Sequence, residues 1–167
     1  MKKNPVAIAM VILLVLGFTV AGFVASSLNQ KPTRSFAGGT VTFVRQEDGT
    51  ARYTLEGCKL QYREEALLDL LSGSQVTQIT LRRCALSVEA VDVLISLSTL
   101  KAVTVESPTI EQEFQWLLFS EFAGLKKLTL LDCEIDNANL TQLHKLMTGC
   151  QVVPSAAGKP NDLSGKP

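Results

Sequence analysis

The stretch VTQITLRRCAL at residues 76–86 decides the fold, because three other segments of the chain follow the same pattern. TARYTLEGCKL (50–60), LKAVTVESPTI (100–110) and LKKLTLLDCEI (125–135) align with it without a gap, at successive offsets of 26, 24 and 25 residues. In each, the fourth, sixth and last positions are apolar: Tyr53, Leu55 and Leu60; Ile79, Leu81 and Leu86; Val103, Val105 and Ile110; Leu128, Leu130 and Ile135. Side chains on a strand alternate between its two faces, so this spacing predicts four short strands, each with one face buried.

Helical patterns fill the intervals. Residues 61–73 carry Ala66, Leu67, Leu70 and Leu71 at helical spacing. Ser87 stands where it can cap a helix that buries Val91, Leu94 and Leu97. Thr109 and Gln112 have capping-box spacing ahead of Phe114, Leu118 and Phe122. Asp136 can cap a helix carrying Leu140, Leu143 and Met147. Each unit reads strand, turn, helix, and the return through a helix makes successive strands parallel.

The pattern resembles the leucine-rich-repeat family in its α/β, ribonuclease-inhibitor-like form, whose repeat reads L-x-x-L-x-L-x-x-N/C-x-L. Cys58, Cys84 and Cys133 occupy the N/C position, and Pro108 replaces it in the third repeat. The resemblance implies an α/β solenoid of about four strand–helix repeats with a parallel sheet, and protein binding as its use. Pro108 has no N–H, so the inner hydrogen-bonded ladder is expected to break or bend there. A doubly wound α/β sheet is the competing architecture, since alternating strands and helices also produce it; the steady period favours the solenoid.

Upstream, TVTFVR (40–45) and ARYTLE (51–56) flank Gln46-Glu47-Asp48-Gly49 and read as a β-hairpin that caps the open edge of the first repeat. The folded domain is expected over 40–153, with a linker at 27–39 and a disordered tail at 154–167. Residues 6–26 contain no charge. At roughly 1.5 Å per residue they reach about 30 Å, enough to cross the hydrocarbon core. The run has no polar face, which argues against a buried core helix. Residues 1–26 are expected to be a single-pass signal-anchor, with a cleaved signal peptide as the alternative because Ala25-Ser26-Ser27 suits a cleavage site. Lys2 and Lys3 ahead of the run favour an extracytoplasmic domain; cleavage would make it secreted or periplasmic.

Without Lys2 and Lys3, 14 of the 16 Lys and Arg remain against 16 Asp and Glu. That slightly acidic balance argues against nucleic-acid binding through bulk charge. Thr54, Thr80, Thr104 and Thr129 take the same outward position in all four repeats. Threonine supplies only 14 of 167 residues, so four matches in register are not a chance expectation. They are either β-branched residues stacking on a solvated sheet or a hydroxyl row for a partner. The row beside them, Glu56, Arg82, Glu106 and Leu131, alternates in charge and should pair with itself; Arg82 and Arg83 are an alternative anion contact. At 100° per residue, Trp116 and Phe119 fall away from the stripe of Phe114, Leu118, Phe122 and Leu125. They are therefore candidate exposed anchors, unless neighbouring helices cover them.

The cysteines have no metal-ligand spacing, and the lone His144 offers no motif-based catalytic pairing, so no metal, cofactor or enzyme activity is expected. Buried thiols are expected at Cys58 and Cys84, whose parallel orientation is poor for a disulfide, and a free thiol at Cys150. Asn139-Leu140-Thr141 is a glycosylation sequon, relevant only to a lumenal eukaryotic domain. The sequence thus points to a non-catalytic, membrane-tethered protein-interaction module whose partner it does not name, with a self-associating scaffold as the alternative. The anchor is directly testable: the mature chain should resist alkaline extraction from membranes and retain Met1 or Lys2 by mass spectrometry. A soluble form starting near Ser27 or Leu28 would mean the leader is cleaved.

Overall fold

Alternating apolar residues and a glycine turn start the sheet. The computed structural model describes residues 32–111 and 114–154. Three antiparallel strands come first: β1 (Thr33–Phe36), β2 (Gly39–Arg45) and β3 (Thr50–Glu56). The turn between β2 and β3 closes through the Gly49 N–H on the Gln46 carbonyl at 3.1 Å, with Gly49 at φ 82°. Asp48 accepts from the Thr50 hydroxyl at 2.7 Å and from its N–H at 2.9 Å. Those two bonds, the hydroxyl's first, hold the Asp48 carboxyl below the usual carboxylate range.

The hairpin expected at 40–45 and 51–56 is thus present, with a strand added outside it. Five of the thirteen residues read as linker belong to the sheet: β1 pairs with β2 from Thr33↔Thr42 to Phe36↔Gly39. Its polar residues resemble linker composition because an edge strand over solvent needs little apolar surface.

From β3 onward the sheet is parallel. The chain continues through α1 (Glu64–Ser72), β4 (Gln75–Arg82), the two-residue β5 (Ala85–Leu86), α2 (Val88–Ile95), β6 (Ala102–Glu106) and β7 (Thr109–Ile110). A 3-10 helix (Trp116–Glu121), β8 (Lys127–Leu131), α3 (Asn137–Leu146) and β9 (Gln151–Pro154) complete it. The seven strands of the main sheet lie in the order β1-β2-β3-β4-β6-β8-β9. A doubly wound sheet reverses its order at a switch point; here each strand is laid beside the last, which excludes that topology.

The register matches the sequence repeats: Thr54↔Thr80, Thr80↔Thr104 and Thr104↔Thr129 are directly paired. The alternating residues Tyr53, Leu55, Ile79, Leu81, Val103, Val105, Leu128 and Leu130 are buried. They lie against Leu67 and Leu71 of α1, Val91 and Leu94 of α2, and Leu143 of α3, all in one core. Burying each such side chain stabilises the fold by about 1.5–3 kcal/mol. Successive helices touch: α1 packs on α2, α2 on the 3-10 helix, and that helix on α3. The caps at Ser87 and Asp136 form as expected, accepting from Ala90 N–H at 3.3 Å and Asn139 N–H at 2.7 Å.

A feature of the units that sequence reading missed comes just after each strand. Gly57, Arg83, Ser107 and Asp132 have φ of 65°, 48°, 46° and 49°. In the first three, the N–H of that residue donates to the next strand: Gly57 to Arg82 O, Arg83 to Glu106 O and Ser107 to Leu131 O, at 2.8–2.9 Å. Three of the four are not glycine, and the left-handed region costs such residues roughly 1–2 kcal/mol. The turn delivers the next side chain inward. Cys84 and Cys133 donate through Sγ to carbonyls of the preceding unit, Leu55 O at 3.4 Å and Val105 O at 3.5 Å. Cys58 reaches Thr40 O on β2 at 3.5 Å.

Pro108 does not break the inner ladder. The ladder uses the N–H of the following residue, Thr109, which donates to Cys84 O at 2.9 Å, so the missing proline donor costs nothing. β5 and β7 pair immediately after it. The interruption falls one unit later, where the Ile135 N–H bonds locally to Cys133 O at 2.9 Å.

The expected helix after Thr109 is also replaced. Thr109 lies in β7, and among the described residues the interval that follows holds a six-residue 3-10 turn; Gln112 lies outside them. A parallel strand absent from the sequence reading, β9, closes the sheet against β8, so Pro154 belongs to the fold rather than the tail. The apolar run at 6–26 and the tail at 155–167 lie outside the described residues. Among the described residues no helix is long and apolar enough to cross a membrane.

Cys84 is fully buried in the middle of this stack. Its hydrogen bond with Cys58, and then burial, push its thiol above the ordinary cysteine range. Cys84→Asp places a carboxyl where Sγ now meets the carbonyls of Leu55 and Arg82. It should lower unfolding free energy by about 3 kcal/mol or more in urea titration; an unchanged midpoint would contradict the buried ladder.

Candidate interaction face

One face of the sheet is covered by the helices; the other holds the candidate site. Outward residues sit between the buried ones, so the repeat that builds the core also builds the rows on the open face. Thr54, Thr80, Thr104 and Thr129 form one such row, each half-buried. Pairing extends the row beyond the repeats: Thr42 is opposite Thr54, and Thr33 opposite Thr42. Six threonines therefore cross six neighbouring strands, a distance of about 24 Å at ~4.8 Å per strand. At β9 the row ends in Val153.

The hydroxyls differ along the row. Those of Thr33 and Thr42 lie 3.3 Å apart. Among the described residues, the hydroxyls of Thr54, Thr80, Thr104 and Thr129 have no hydrogen-bond partner within the protein. Methyl and hydroxyl groups of these four thus form a strip with donor and acceptor capacity still open.

Charge flanks the row on the side of the strand C-termini. Arg82 and Glu106 pair across β4 and β6, Nε to Oε2, at 2.9 Å. Glu56 is paired too, but with Arg83 rather than its in-register neighbour Arg82. The left-handed backbone at Arg83 turns that side chain back towards β3, which the strand pattern alone does not suggest. Each Arg is engaged, so the proposed anion contact at Arg82 and Arg83 competes with an existing carboxylate. On the opposite flank the row reads Arg52, Gln78, Ala102 and Lys127.

The two aromatic anchor candidates are not on a surface. Trp116 is 5% exposed and Phe119 fully buried. The cause is the helix type. At three residues per turn, positions 116, 119 and 122 eclipse on one side, whereas 100° steps separate them. Trp116 stacks on Phe119 at 6.0 Å between centroids, Phe119 on Phe122 at 5.9 Å, and Phe114 meets Trp116 edge-on at 5.4 Å. Trp116 Nε1 donates to Glu134 O at 3.1 Å, which ties this cluster to the loop after β8. Leu118, placed in the core stripe by the helical phase, is only half-buried.

All four cysteines are free, with Cys58 and Cys84 buried and Cys133 and Cys150 half-buried. Burial, and then the Asp132 charge, push the Cys133 thiol up to about 12. Among the described residues no group of three or more His, Cys, Asp or Glu side chains is placed to hold a metal ion. The sequon amide of Asn139 donates to the Asp136 carboxylate at 3.0 Å within the cap of α3.

No family model matches this chain, and no curated protein or solved structure matches it.

The aromatic cluster gives a clean check on that geometry. Phe119→Ala should destabilise the domain by about 3–5 kcal/mol, as removal of a buried ring does. Trp116→Phe should cost only about 1 kcal/mol, chiefly its indole hydrogen bond. Equilibrium denaturation measures both, and equal near-zero effects would restore the two rings to the surface.

Proposed function

We propose that this chain is a membrane-tethered, leucine-rich-repeat-like interaction module, a short solenoid that holds a protein partner on the open face of its sheet and catalyses no reaction. The reading is carried by one observation: four in-register threonine hydroxyls, unpartnered among the described residues, on the face opposite the described helices. A β-propensity role alone would be satisfied by valine, which leaves no open donors. Val153 at the end of the row shows that the sheet accepts such a residue.

The gapless 24–26-residue spacing and the recurrent cysteine support the repeat-family reading. The uncharged run at 6–26 supports the tether, and the lysines before it support an extracytoplasmic domain. Cleavage of that run would leave a secreted form of the same module. Self-association is the competing use, since β1 and β9 are the edge strands of the sheet among the described residues. Both are only four residues long, and β9 ends in Pro154, features that discourage edge-to-edge pairing.

A photocrosslinking residue placed at Thr104 in the full chain, expressed in its native cells, separates these uses. The expected result is a discrete heteromeric adduct at Thr104 and none at Gln142, which is exposed on α3. Adducts only of twice the chain mass would favour a self-associating scaffold. Equal adducts at both positions would remove the sheet face as the binding surface.

A further inference from the structure

A concave site lies where the β1–β2 turn meets the loop between β3 and α1. The groove encloses about 830 Å³, within the range of small-ligand sites. Its walls are fixed by backbone: the Lys59 N–H donates to Ala37 O at 2.8 Å, clamping the loop to the turn. Phe36 and Ala66 contribute apolar surface, and Gln61 an amide.

Three side chains there have chemistry that the fold does not use. Lys59 and Arg63 both line the groove, and among the described residues neither has an ion-pair partner. Glu56, at the end of β3, is occupied by Arg83. Tyr62 stands between the two cations in sequence, is 88% exposed, and has φ 56°. A bulky residue in the left-handed region is an outlier, and a ring this exposed recovers little from burial. The fold would be better served by glycine at that position.

We propose that this groove binds an organic phosphate monoester, with Lys59 and Arg63 holding the phosphate and the Tyr62 ring flanking the organic body. The two cations together carry +2, which matches a phosphate monoester at about −1.5 to −2 near neutral pH better than a single carboxylate. The guanidinium of Arg63 offers a planar donor fork to two phosphate oxygens, and the Lys59 ammonium a point charge. Phe36, Ala66 and the Tyr62 ring give the carbon portion an apolar bed. This site is independent of the sheet-face reading, so either can fail alone.

The test uses the full chain in a nonionic detergent, titrated by calorimetry and amide NMR with phenyl phosphate. Inorganic phosphate and phenol serve as half-ligand probes. Phenyl phosphate should saturate below about 10 mM, with shifts confined to 35–38 and 59–66, and each half-ligand should bind at least about tenfold more weakly. Lys59→Gln and Arg63→Gln should each weaken binding about fivefold or more, and Tyr62→Gly should do the same while raising the melting temperature. Because Tyr62→Gly relieves backbone strain, its loss of binding cannot be ascribed to unfolding. Tighter binding of soluble short-chain phosphatidate than of phenyl phosphate would support the site with a lipid headgroup as source; the reverse would support it with a free phosphate. Non-saturating shifts, equal affinity for inorganic phosphate, or variants that bind like the parent chain would overturn the proposal.

Discussion

At Gly57, Arg83, Ser107 and Asp132 the backbone enters the left-handed region as soon as a strand ends. In the first three units the N–H of that residue is given to the carbonyl of the neighbouring strand. Much else depends on this turn. It lets the main sheet keep its ladder to the last residue of each strand, then redirects the chain inward, so the cysteine that follows fills the space behind the sheet. It also begins the path to the helix that buries that strand's apolar side chains. The strain at Arg83 and Ser107 is tolerated because backbone hydrogen bonds at and just after each residue specify the conformation.

With one path repeated, every connection returns on the same face. The sheet is therefore asymmetric: apolar residues and thiols lie towards the helices, and hydroxyls and charges towards solvent. That asymmetry gathers the hydroxyls and charges on one face of the sheet. It also explains why the surface is ordered. The threonines are in line because Leu55, Leu81, Val105 and Leu130 must be in line to share a core. Shifting any strand by one residue would exchange the two faces, so the core enforces the register of the row.

The third unit shows how far the repeat can be altered without loss of the sheet. Proline takes the cysteine position and a 3-10 turn takes the place of a helix, yet β6 keeps its register with both neighbours. Aromatic stacking fills the volume that a longer helix would have occupied: Phe114, Trp116, Phe119 and Phe122 form a cluster that contacts both α2 and α3 through their shared core.

The sequence by itself determined the four strands, their parallel register, the hairpin ahead of them and four of the six threonines. All of these follow from a period of two nested in a period of about 25, a signal that local side-chain alternation writes directly into the chain. Thr33 and Thr42 were not legible as part of the row, because antiparallel pairing outside the repeat placed them there. Only the tertiary structure decided that Trp116 and Phe119 are core. Their spacing of three suits a 3-10 turn as well as a helix, and the neighbouring helices choose between them. Tertiary structure alone also set Arg83 against Glu56, brought β1 and β9 into the sheet, and assembled the groove around Tyr62. Each of these depends on backbone conformation or pairing between distant segments, which the identity of a single residue does not encode.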